Sequence, residues 1–402
     1  MAPPKINDSS TWAASNPPFE TSWFWRLLPA GMRRRWWLFR LFDTIVRNWP
    51  VFGTPRGTLI IRMDGIGDMV LFRRTLDDYA TALSASVSDI TILGCKSWGP
   101  ISAEIFAGYN LIIIDEHAFA RQPFYRFKIG LMVRRLNAQR ALNDSYFRRA
   151  MMADSLVWLS GAKETTVSFP FINEPTRTEF SYYLSQVSQI IDTGPYPTHE
   201  SIRHYRFLSA LAGQNYSPQP PKVPWRISER LEGPPYVVLN PGSNEHGRRW
   251  PFANYVEIAK RLTEGGNRVV IVGGPGEETG DYKEALGRHE NVLDLVGQTE
   301  LPALIDILKG ATATLSNDTG PAHLSIAVGT PTTVIVGGGH FGSFVPYPEE
   351  TKPPNARFVY EVMPCYHCFW RCHKRNTKFD VFPCVSAVSV ETVWEHLSQQ
   401  VV

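Results

Sequence analysis

A run of small polar residues between two apolar segments is the strongest sign of a binding site in the sequence. Ser316 to Pro321 (SNDTGP) closes a strand-like segment, and its capping residues and proline predict that a helix begins there. The free backbone N–H groups at such a helix start bind phosphate. We therefore predict that Asp318, Thr319, Gly320 and His323 face a ligand, although a histidine outside such a run is more often structural.

A second strand–helix junction carries two carboxylates and two glycines in the segment 62–68 (RMDGIGD). Gly65 and Gly67 permit close backbone approach, but the third glycine of a dinucleotide-binding fingerprint is absent. Asp68 falls at the predicted helix start, where a carboxylate most often serves as a cap. If it faces a bound hydroxyl instead, it is placed to remove the proton as a general base.

Two further junctions carry polar side chains suited to a nucleotide. Ser243 and Asn244 offer short donors after one strand, and Arg248 adds a fixed charge that suits a diphosphate. The alternative is a solvated loop with surface arginines. Glu277 and Glu278 follow a glycine-rich turn, where a carboxylate can hold ribose hydroxyls or simply occupy the first turn of a helix.

These junctions require a β-α-β pattern, and the sequence shows it twice. Short apolar strands separated by helices predict α/β architecture with parallel sheets. Six prolines within 217–235 indicate an extended linker between two doubly wound halves, with a ligand cleft at the carboxyl ends of their strands. We expect an acceptor domain over 58–216 and a nucleotide-sugar domain over 236–402, which ends in a closing helix (390–402).

Within the first half we predict a strand at 58–63, a helix over 69–85 and strands at 89–94 and 111–115. We also predict one basic helix over 125–142 and strands at 155–160 and 165–170. Within the second half we predict strands at 236–240, 268–273, 292–296, 312–316 and 332–336. Helices are predicted at 252–265, 277–288, 301–310 and 321–328.

The N-terminal part of the chain, before the first predicted domain, differs from the rest. Residues 1–20 are rich in Pro, Ser and Asn, and we expect them to be disordered. Residues 21–57 interleave tryptophans with arginines, an amphipathic pattern that fits an interfacial helix on an anionic membrane. A helix packed on the first domain or at an oligomer contact fits equally well.

Charge and cysteine content narrow the class of protein. The net charge of +3 argues against a dedicated nucleic-acid binder, but residues 1–58 alone carry +5. We find no apolar run long enough to span a membrane and no secretory signal, and five cysteines is an odd number, so we expect a cytoplasmic protein.

Four of the five cysteines cluster within residues 365–384. Cys365, Cys368, Cys372 and Cys384 supply enough thiolates for a structural zinc or iron site. Reduced structural thiols are an equally good interpretation, and a disulfide or redox role is a third.

The order of these segments resembles glycosyltransferase family 9, the heptosyltransferases of lipopolysaccharide biosynthesis. The segments that carry the resemblance are IIRMDGIGD, NPGSNEHGRRWP, GGPGEE, LVGQTELPALIDILKGA and SNDTGPAHLSIAVGTPT. The resemblance covers about residues 58–400. It implies two Rossmann-like domains in the GT-B arrangement and metal-independent transfer with inversion, generally from ADP-heptose.

The resemblance also implies roles for individual residues. Asp68 matches the proposed base, Ser243 and Arg248 match diphosphate contacts, and Glu278, less surely Glu277, matches a nucleoside contact. The donor-binding loop corresponds to Asp318, Thr319, Gly320 and His323. No cofactor is implied for catalysis.

The chain departs from the family pattern where the acceptor is expected. Asp64 stands where a small serine is common and adds a second carboxylate, which can pair with Arg62 or with a basic acceptor group. We therefore take Arg62, Asp64, Gly65 and Gly67 as acceptor-side candidates. Arg248 replaces a common lysine and keeps the charge.

Together these features predict an inverting transfer of a sugar, heptose above others, from a nucleotide diphosphate to a lipopolysaccharide or other surface-glycan acceptor. The protein would act at the inner face of the cytoplasmic membrane, without nucleic acid as a partner. The alternatives are a sugar-nucleotide epimerase of the same fold and a non-catalytic sugar-nucleotide-binding protein associated with the membrane.

Overall fold

The computed structural model describes residues 5–7, 34–173, 176–227, 231–277, 284–285 and 290–401. Glu278, most of the predicted helix over 277–288 and most of the segment 1–33 lie outside these ranges. Contacts divide the chain into two units. The first unit comprises Met1–Gly65 and Thr75–Pro218, and the second comprises Ile66–Arg74 and Gln219–Val402. The division at Pro218 falls inside the proline-rich segment.

The first unit is built on a seven-stranded sheet of order β1-β7-β6-β5-β2-β3-β4. All its pairings are parallel. Its strands are β1 (Lys5–Asn7), β2 (Thr58–Arg62), β3 (Ile90–Cys95), β4 (Asn110–Ile114), β5 (Arg140–Asn143), β6 (Glu164–Ser168) and β7 (Gln189–Ile191). Strand β1 therefore belongs to the sheet, although composition predicts disorder for residues 1–20.

The helices of the first unit alternate with its strands along the chain, as parallel connections require. They are α1 (Arg34–Arg47), α2 (Ile66–Ala82), α3 (Gly99–Ile105), α4 (Glu116–Arg121), α5 (Pro123–Arg135), α6 (Ala153–Ser160), α7 (Arg177–Leu184) and α8 (Glu200–Ala212). Helix α2 belongs to both units, because its N-terminal part, Ile66–Arg74, groups with the second unit.

The second unit repeats this plan with a six-stranded parallel sheet of order β10-β9-β8-β11-β12-β13. Its strands are β8 (Tyr236–Asn240), β9 (Arg268–Ile271), β10 (Val292–Asp294), β11 (Ala313–Asn317), β12 (Thr332–Ile335) and β13 (Ala356–Val359). Its helices are α9 (Phe252–Glu264), α10 (Leu301–Gly310), α11 (Gly320–Ala327), α12 (Pro383–Ser386) and α13 (Val390–Ser398).

Two element predictions are wrong. Residues 155–160 form the body of helix α6 rather than a strand, because this helix is buried on nearly all sides and shows no amphipathic period. The basic helix predicted over 125–142 ends at Arg135. Asn137 then takes a left-handed turn (φ 49°), and Arg140 begins strand β5. The other predicted strands are confirmed, with small differences at their ends.

The linker is extended but not detached from the second unit. The Val223 N–H donates to the Ala327 carbonyl at 3.2 Å, and the Trp225 indole donates to Asp306 at 2.8 Å. Among the described residues, no helix is both long and apolar enough to cross a bilayer.

Candidate functional site

The polar run predicted from the sequence forms the turn between strand β11 and helix α11. Thr319 is the N-cap residue in extended conformation, and its side chain does not cap the helix. The Asn240 side-chain amide instead donates to Thr319 Oγ1 at 3.1 Å. Pro321 has no N–H, and the N–H groups of Ala322 and His323 donate to the Thr319 carbonyl at 3.1 and 3.5 Å. The Gly320 N–H is therefore the group that this helix start can offer to an anion.

A neighbouring residue that we did not predict fixes the shape of this turn. Asn317 is fully buried, and its side-chain amide donates to the Pro241 carbonyl at 2.7 Å. Its side-chain oxygen accepts from the Trp250 N–H and the Tyr255 hydroxyl, both at 3.1 Å. Asn317 therefore ties the turn after β11 to the turn after β8, the two segments predicted to share the donor.

Arg248 lies beside the same turn. Its guanidinium Nη2 contacts Asp318 Oδ2 at 2.8 Å and also donates to the Asp318 carbonyl. The Trp370 ring stacks against the guanidinium with 4.6 Å from Cζ to the ring centroid. This contact holds the charge in place without neutralising it. Arg248 and Asp318, which are distant in the sequence, thus form one unit of the site.

His323 is buried and lies next to Asp318. Its Nδ1 lies 2.7 Å from the Tyr347 hydroxyl, and its Nε2 lies 3.9 Å from Asp318 Oδ1. Burial lowers the pKa of His323 to about 4, and the nearby Arg248 adds to the shift although Asp318 opposes it. The imidazole is therefore neutral at neutral pH. Burial also raises the pKa of Tyr347, so this hydroxyl keeps its proton.

The remaining donor candidates occupy different environments. Ser243 is buried, and its hydroxyl has no hydrogen-bond partner among the described residues, as expected of a group that awaits a ligand. Asn244 is exposed. Glu277 Oε2 accepts from the Gly274 N–H at 2.8 Å, so this carboxylate stabilises the glycine-rich turn. Glu278 lies outside the described residues.

The start of helix α2, which carries Asp68, lies against the start of helix α11. A Cβ placed on Gly67 would be 2.9 Å from His323 Cδ2, and one placed on Gly320 would be 3.0 Å from Ile66 Cβ. Both contacts belong to the second unit. The N-cap residue of α2 is Gly65, so the half-buried Asp68 is the third residue of the helix rather than its cap.

The acceptor-side candidates Arg62 and Asp64 belong to a buried polar network of the first unit. The Arg62 guanidinium contacts Asp64 at 2.6 Å and also pairs with Asp144, whose second oxygen lies 2.9 Å from His204 Nδ1. Ser145 donates to Asp64 at 2.9 Å. The pairing of Asp64 with Arg62 is one of the two arrangements expected from the sequence.

Burial acts differently on the two carboxyl groups of this network. Burial raises the pKa of Asp64 against the opposing effect of Arg62. Burial alone would also raise the pKa of Asp144, but His204 and Arg62 hold it below its usual value. Asp144 is therefore the permanent anion of the network. Sequence reasoning did not find it, because its partners Arg62 and His204 are remote from it along the chain.

The cysteine cluster does not fit the predicted metal site. Among the described residues, no three histidine, cysteine or acidic side chains are grouped as a metal ion requires. The Cys384 thiol accepts from the Gly338 N–H at 3.3 Å, and burial together with the other thiols raises its pKa. Burial likewise raises the pKa of Cys368.

The loop that carries these cysteines contributes to the site in another way. Its backbone runs along a glycine segment: the His367 N–H donates to the Gly338 carbonyl at 2.7 Å, and that of Phe369 donates to Gly339 at 2.9 Å. A Cβ on Gly339 would overlap the Trp370 ring. The glycines therefore let the loop place Trp370 under Arg248.

Solved structures of other proteins share this architecture. The structure of E. coli ADP-heptose lps heptosyltransferase II superposes with a TM-score of 0.60 at 20% identity, covering 86% of this chain and 98% of that one. A glycosyl transferase family 9 protein from Veillonella parvula gives 0.66 at 16% identity, covering 88% and 99%. The two parallel-sheet α/β units thus form the GT-B fold.

The sequence comparison finds similarity to one family over part of the chain. Residues 205–368 match the profile of glycosyltransferase family 9 (heptosyltransferase), which confirms the resemblance. Over 109 residues the chain is 30% identical to lipooligosaccharide heptosyltransferase 2 of Haemophilus influenzae. That alignment covers 26% of this chain and 31% of the relative, so the chain matches about a third of the relative's length.

Proposed function

We propose that this protein is an inverting glycosyltransferase that moves a sugar from a nucleotide diphosphate to an acceptor hydroxyl. The observation that carries the proposal is the packing of the first turn of α2, with Asp68, against the first turn of α11 and His323. The names of similar proteins support ADP-heptose as the donor and a lipopolysaccharide or related surface glycan as the acceptor.

In the proposed reaction, the Asp68 carboxylate accepts the proton of the acceptor hydroxyl. The acceptor oxygen forms a bond to the anomeric carbon from the face opposite the diphosphate, which inverts the configuration. The bond from that carbon to the diphosphate oxygen breaks, and its electron pair leaves with the nucleotide. The proposed mechanism uses no metal ion and no other cofactor.

The departing diphosphate gains negative charge, and the second unit offers groups that stabilise it. Arg248 supplies a fixed cation held over Trp370, and the unpartnered Ser243 hydroxyl supplies a donor. The Gly320 N–H at the start of α11 supplies another donor. Asp318 and the neutral His323 orient the donor beside them.

The direct test replaces Asp68 by asparagine, which keeps the shape and removes the base. We expect the rate of sugar transfer to fall by about 10²–10⁴-fold, the usual contribution of a general base. The increase in melting temperature on adding ADP should be nearly unchanged, because the diphosphate contacts remain. Asp77→Asn, an exposed acid on the same helix, is the matched control and should behave as the wild type.

The outcomes separate this proposal from the alternatives. Full transfer activity in Asp68→Asn would remove Asp68 from its role. Conversion of the donor alone into an isomer would favour a sugar-nucleotide epimerase. Donor binding without transfer to any extracted glycolipid would favour a non-catalytic binding protein.

We further propose that the reaction takes place at the inner face of the cytoplasmic membrane, where glycolipid acceptors are available. The charge distribution supports this location, because residues 1–58 carry +5 whereas the chain as a whole carries +3. The small overall charge gives no support to nucleic acid as a partner.

A further inference from the structure

Helix α1, the described part of the tryptophan- and arginine-rich segment, is fixed to the first unit by one face. Phe39, Asp43 and Val46 on this face are almost fully buried. Asp43 pairs with the buried guanidinium of Arg126 at 2.6 Å, and Val46 would contact a Cβ on Gly130 at 3.1 Å. The helix therefore has a defined orientation on helix α5.

An exposed apolar stripe begins on the opposite face and continues past the end of the helix. Leu41 and Ile45 lie on α1, and Trp49 and Phe52 lie in the segment that follows Arg47. Their exposed fractions are 59%, 53%, 36% and 89%. Large apolar side chains exposed in a row are uncommon on a surface that only water contacts.

Two arginines lie at the end of this stripe, and no described residue gives either of them an acidic partner. Arg47 and Arg134 converge on Gly161, since a Cβ there would lie 2.7 Å from Arg47 Nη1 and would overlap the Arg134 guanidinium. They line a cleft of about 620 Å³ together with Trp49, Trp158 and Gln186. Among the described residues, neither arginine forms an ion pair. Arg134 Nη1 donates to the Ser160 carbonyl at 3.5 Å, but Arg134 Nε is buried without an acceptor.

The two like charges disfavour each other. Burial lowers the pKa of Arg47, and the neighbouring Arg134 lowers it further. Each guanidinium is planar and carries several donors in a fork, which matches the oxygens of a phosphate group. An anion bound between them would relieve the repulsion and satisfy the free donors.

We propose that this face of α1 docks on an anionic phospholipid membrane, with a lipid phosphate bound between Arg47 and Arg134. The apolar stripe would enter the boundary between headgroups and acyl chains, where Trp49 is well suited to lie. A second copy of this chain fits less well, because two such faces would bring four arginines together.

The test measures binding of the full chain to vesicles by flotation, independently of sugar transfer. Vesicles of phosphatidylcholine with phosphatidylglycerol should bind the protein, and phosphatidylcholine alone should bind it weakly. The double variant Arg47→Gln, Arg134→Gln should bind the vesicles about thirtyfold more weakly, because the anionic surface no longer attracts two cationic side chains. Ile45→Ser with Phe52→Ser should weaken binding about tenfold or more, because exposed apolar side chains no longer enter the membrane.

Matched controls come from exposed positions of the second unit. Lys260→Gln with Lys374→Gln removes the same charge, and Val362→Ser removes a comparable apolar side chain. Both should bind as the wild type. Equal flotation of all variants would overturn the proposal, as would dimerisation through this face seen by ultracentrifugation without vesicle binding. A rise in melting temperature with inorganic phosphate but no flotation would also overturn it, because the anion site would then not serve a membrane.

Discussion

A neutral imidazole beside a carboxylate is the residue-scale feature that distinguishes this site from a surface loop. The contact of His323 with Tyr347 fixes the ring, and burial keeps it uncharged. When Tyr347 donates to Nδ1, the proton of the ring lies on Nε2, which faces Asp318. A neutral donor in this position can orient a sugar or phosphate oxygen without neutralising the charge of Asp318.

The low pKa of His323 links stability to pH. In the unfolded chain this histidine takes up a proton near its ordinary pKa of 6.5, whereas in the folded protein it does so only near pH 4. Between these values the unfolded state binds more protons, so stability must fall as the pH falls. For a group shifted in this way the slope is about 1.4 kcal/mol per pH unit.

We therefore expect the free energy of unfolding to fall less in His323→Gln than in the wild type when the pH is lowered from 6.5 to 4. Urea denaturation at each pH measures this free energy. Part of the dependence should remain, because burial and Arg248 lower the pKa of His340 in the same direction. His373→Gln, at an exposed position, is the control and should follow the wild type. Parallel curves for His323→Gln and the wild type would contradict the assignment.

At this scale, the site residues that belong to short motifs could be predicted from the sequence. The residues that contact them in the folded protein could not. Asp318, His323 and Arg248 lie together as predicted, because each follows a strand and parallel strands end at one edge of a sheet. Tyr347 and Trp370 were not found. Their contacts depend on long-range packing, which a local pattern does not encode.

At the scale of elements, the start of α2 is the part of the fold on which the proposed chemistry depends. Its first turn can approach α11 only because Gly67 and Gly320 have no side chains. Leu71, one turn further along α2, packs with Ala322 and Ile326 of α11 in a common apolar cluster. The glycines of the two motifs thus serve helix packing.

We predict that Gly67→Ala destabilises the protein by about 1–3 kcal/mol, the usual cost of inserting a methyl group into a packed region. The added Cβ would lie 2.9 Å from the His323 ring, which Tyr347 holds in place. Urea denaturation of Gly67→Ala, His323→Ala and the double variant measures the coupling. Removal of the ring should abolish most of the cost of Gly67→Ala, and strictly additive costs would rule out this contact as the cause.

Helices and strands with a clear hydrophobic period or a clear terminating residue could be predicted from the sequence, and those without either could not. Helix α10 was predicted at its observed bounds, since its apolar residues follow the helical repeat and Gly310 ends it. Helix α6 (ADSLVWLS) is buried along nearly its whole surface, so its sequence resembles a buried strand. Strand β13 (ARFV) was missed because Arg357 interrupts its short apolar sequence.

At the scale of the whole molecule, each unit has its own apolar core, and the N-terminal segment contributes to one of them. Val46 of α1 belongs to the same buried cluster as Leu59 of β2 and Val133 of α5. Of the two interpretations of this segment, packing on the first domain therefore holds for one face of α1. The other face carries the exposed stripe, which is the surface of the proposed membrane contact.

This double role predicts the outcome of removing the segment. A chain that begins at Pro55 lacks α1, so the buried Arg126 loses its partner Asp43, at a cost of about 3–5 kcal/mol. Loss of the buried side chains of Phe39 and Val46 adds roughly 1.5–3 kcal/mol each. We expect this chain to melt at a much lower temperature or to aggregate, whereas a chain beginning at Arg34 keeps these contacts and most of its stability. Equal melting temperatures in a calorimetric scan would show that α1 does not support the first unit. If instead the shorter chain is unstable, its failure to bind vesicles would reflect unfolding, and for that reason point variants on the exposed face are the valid probe of membrane docking.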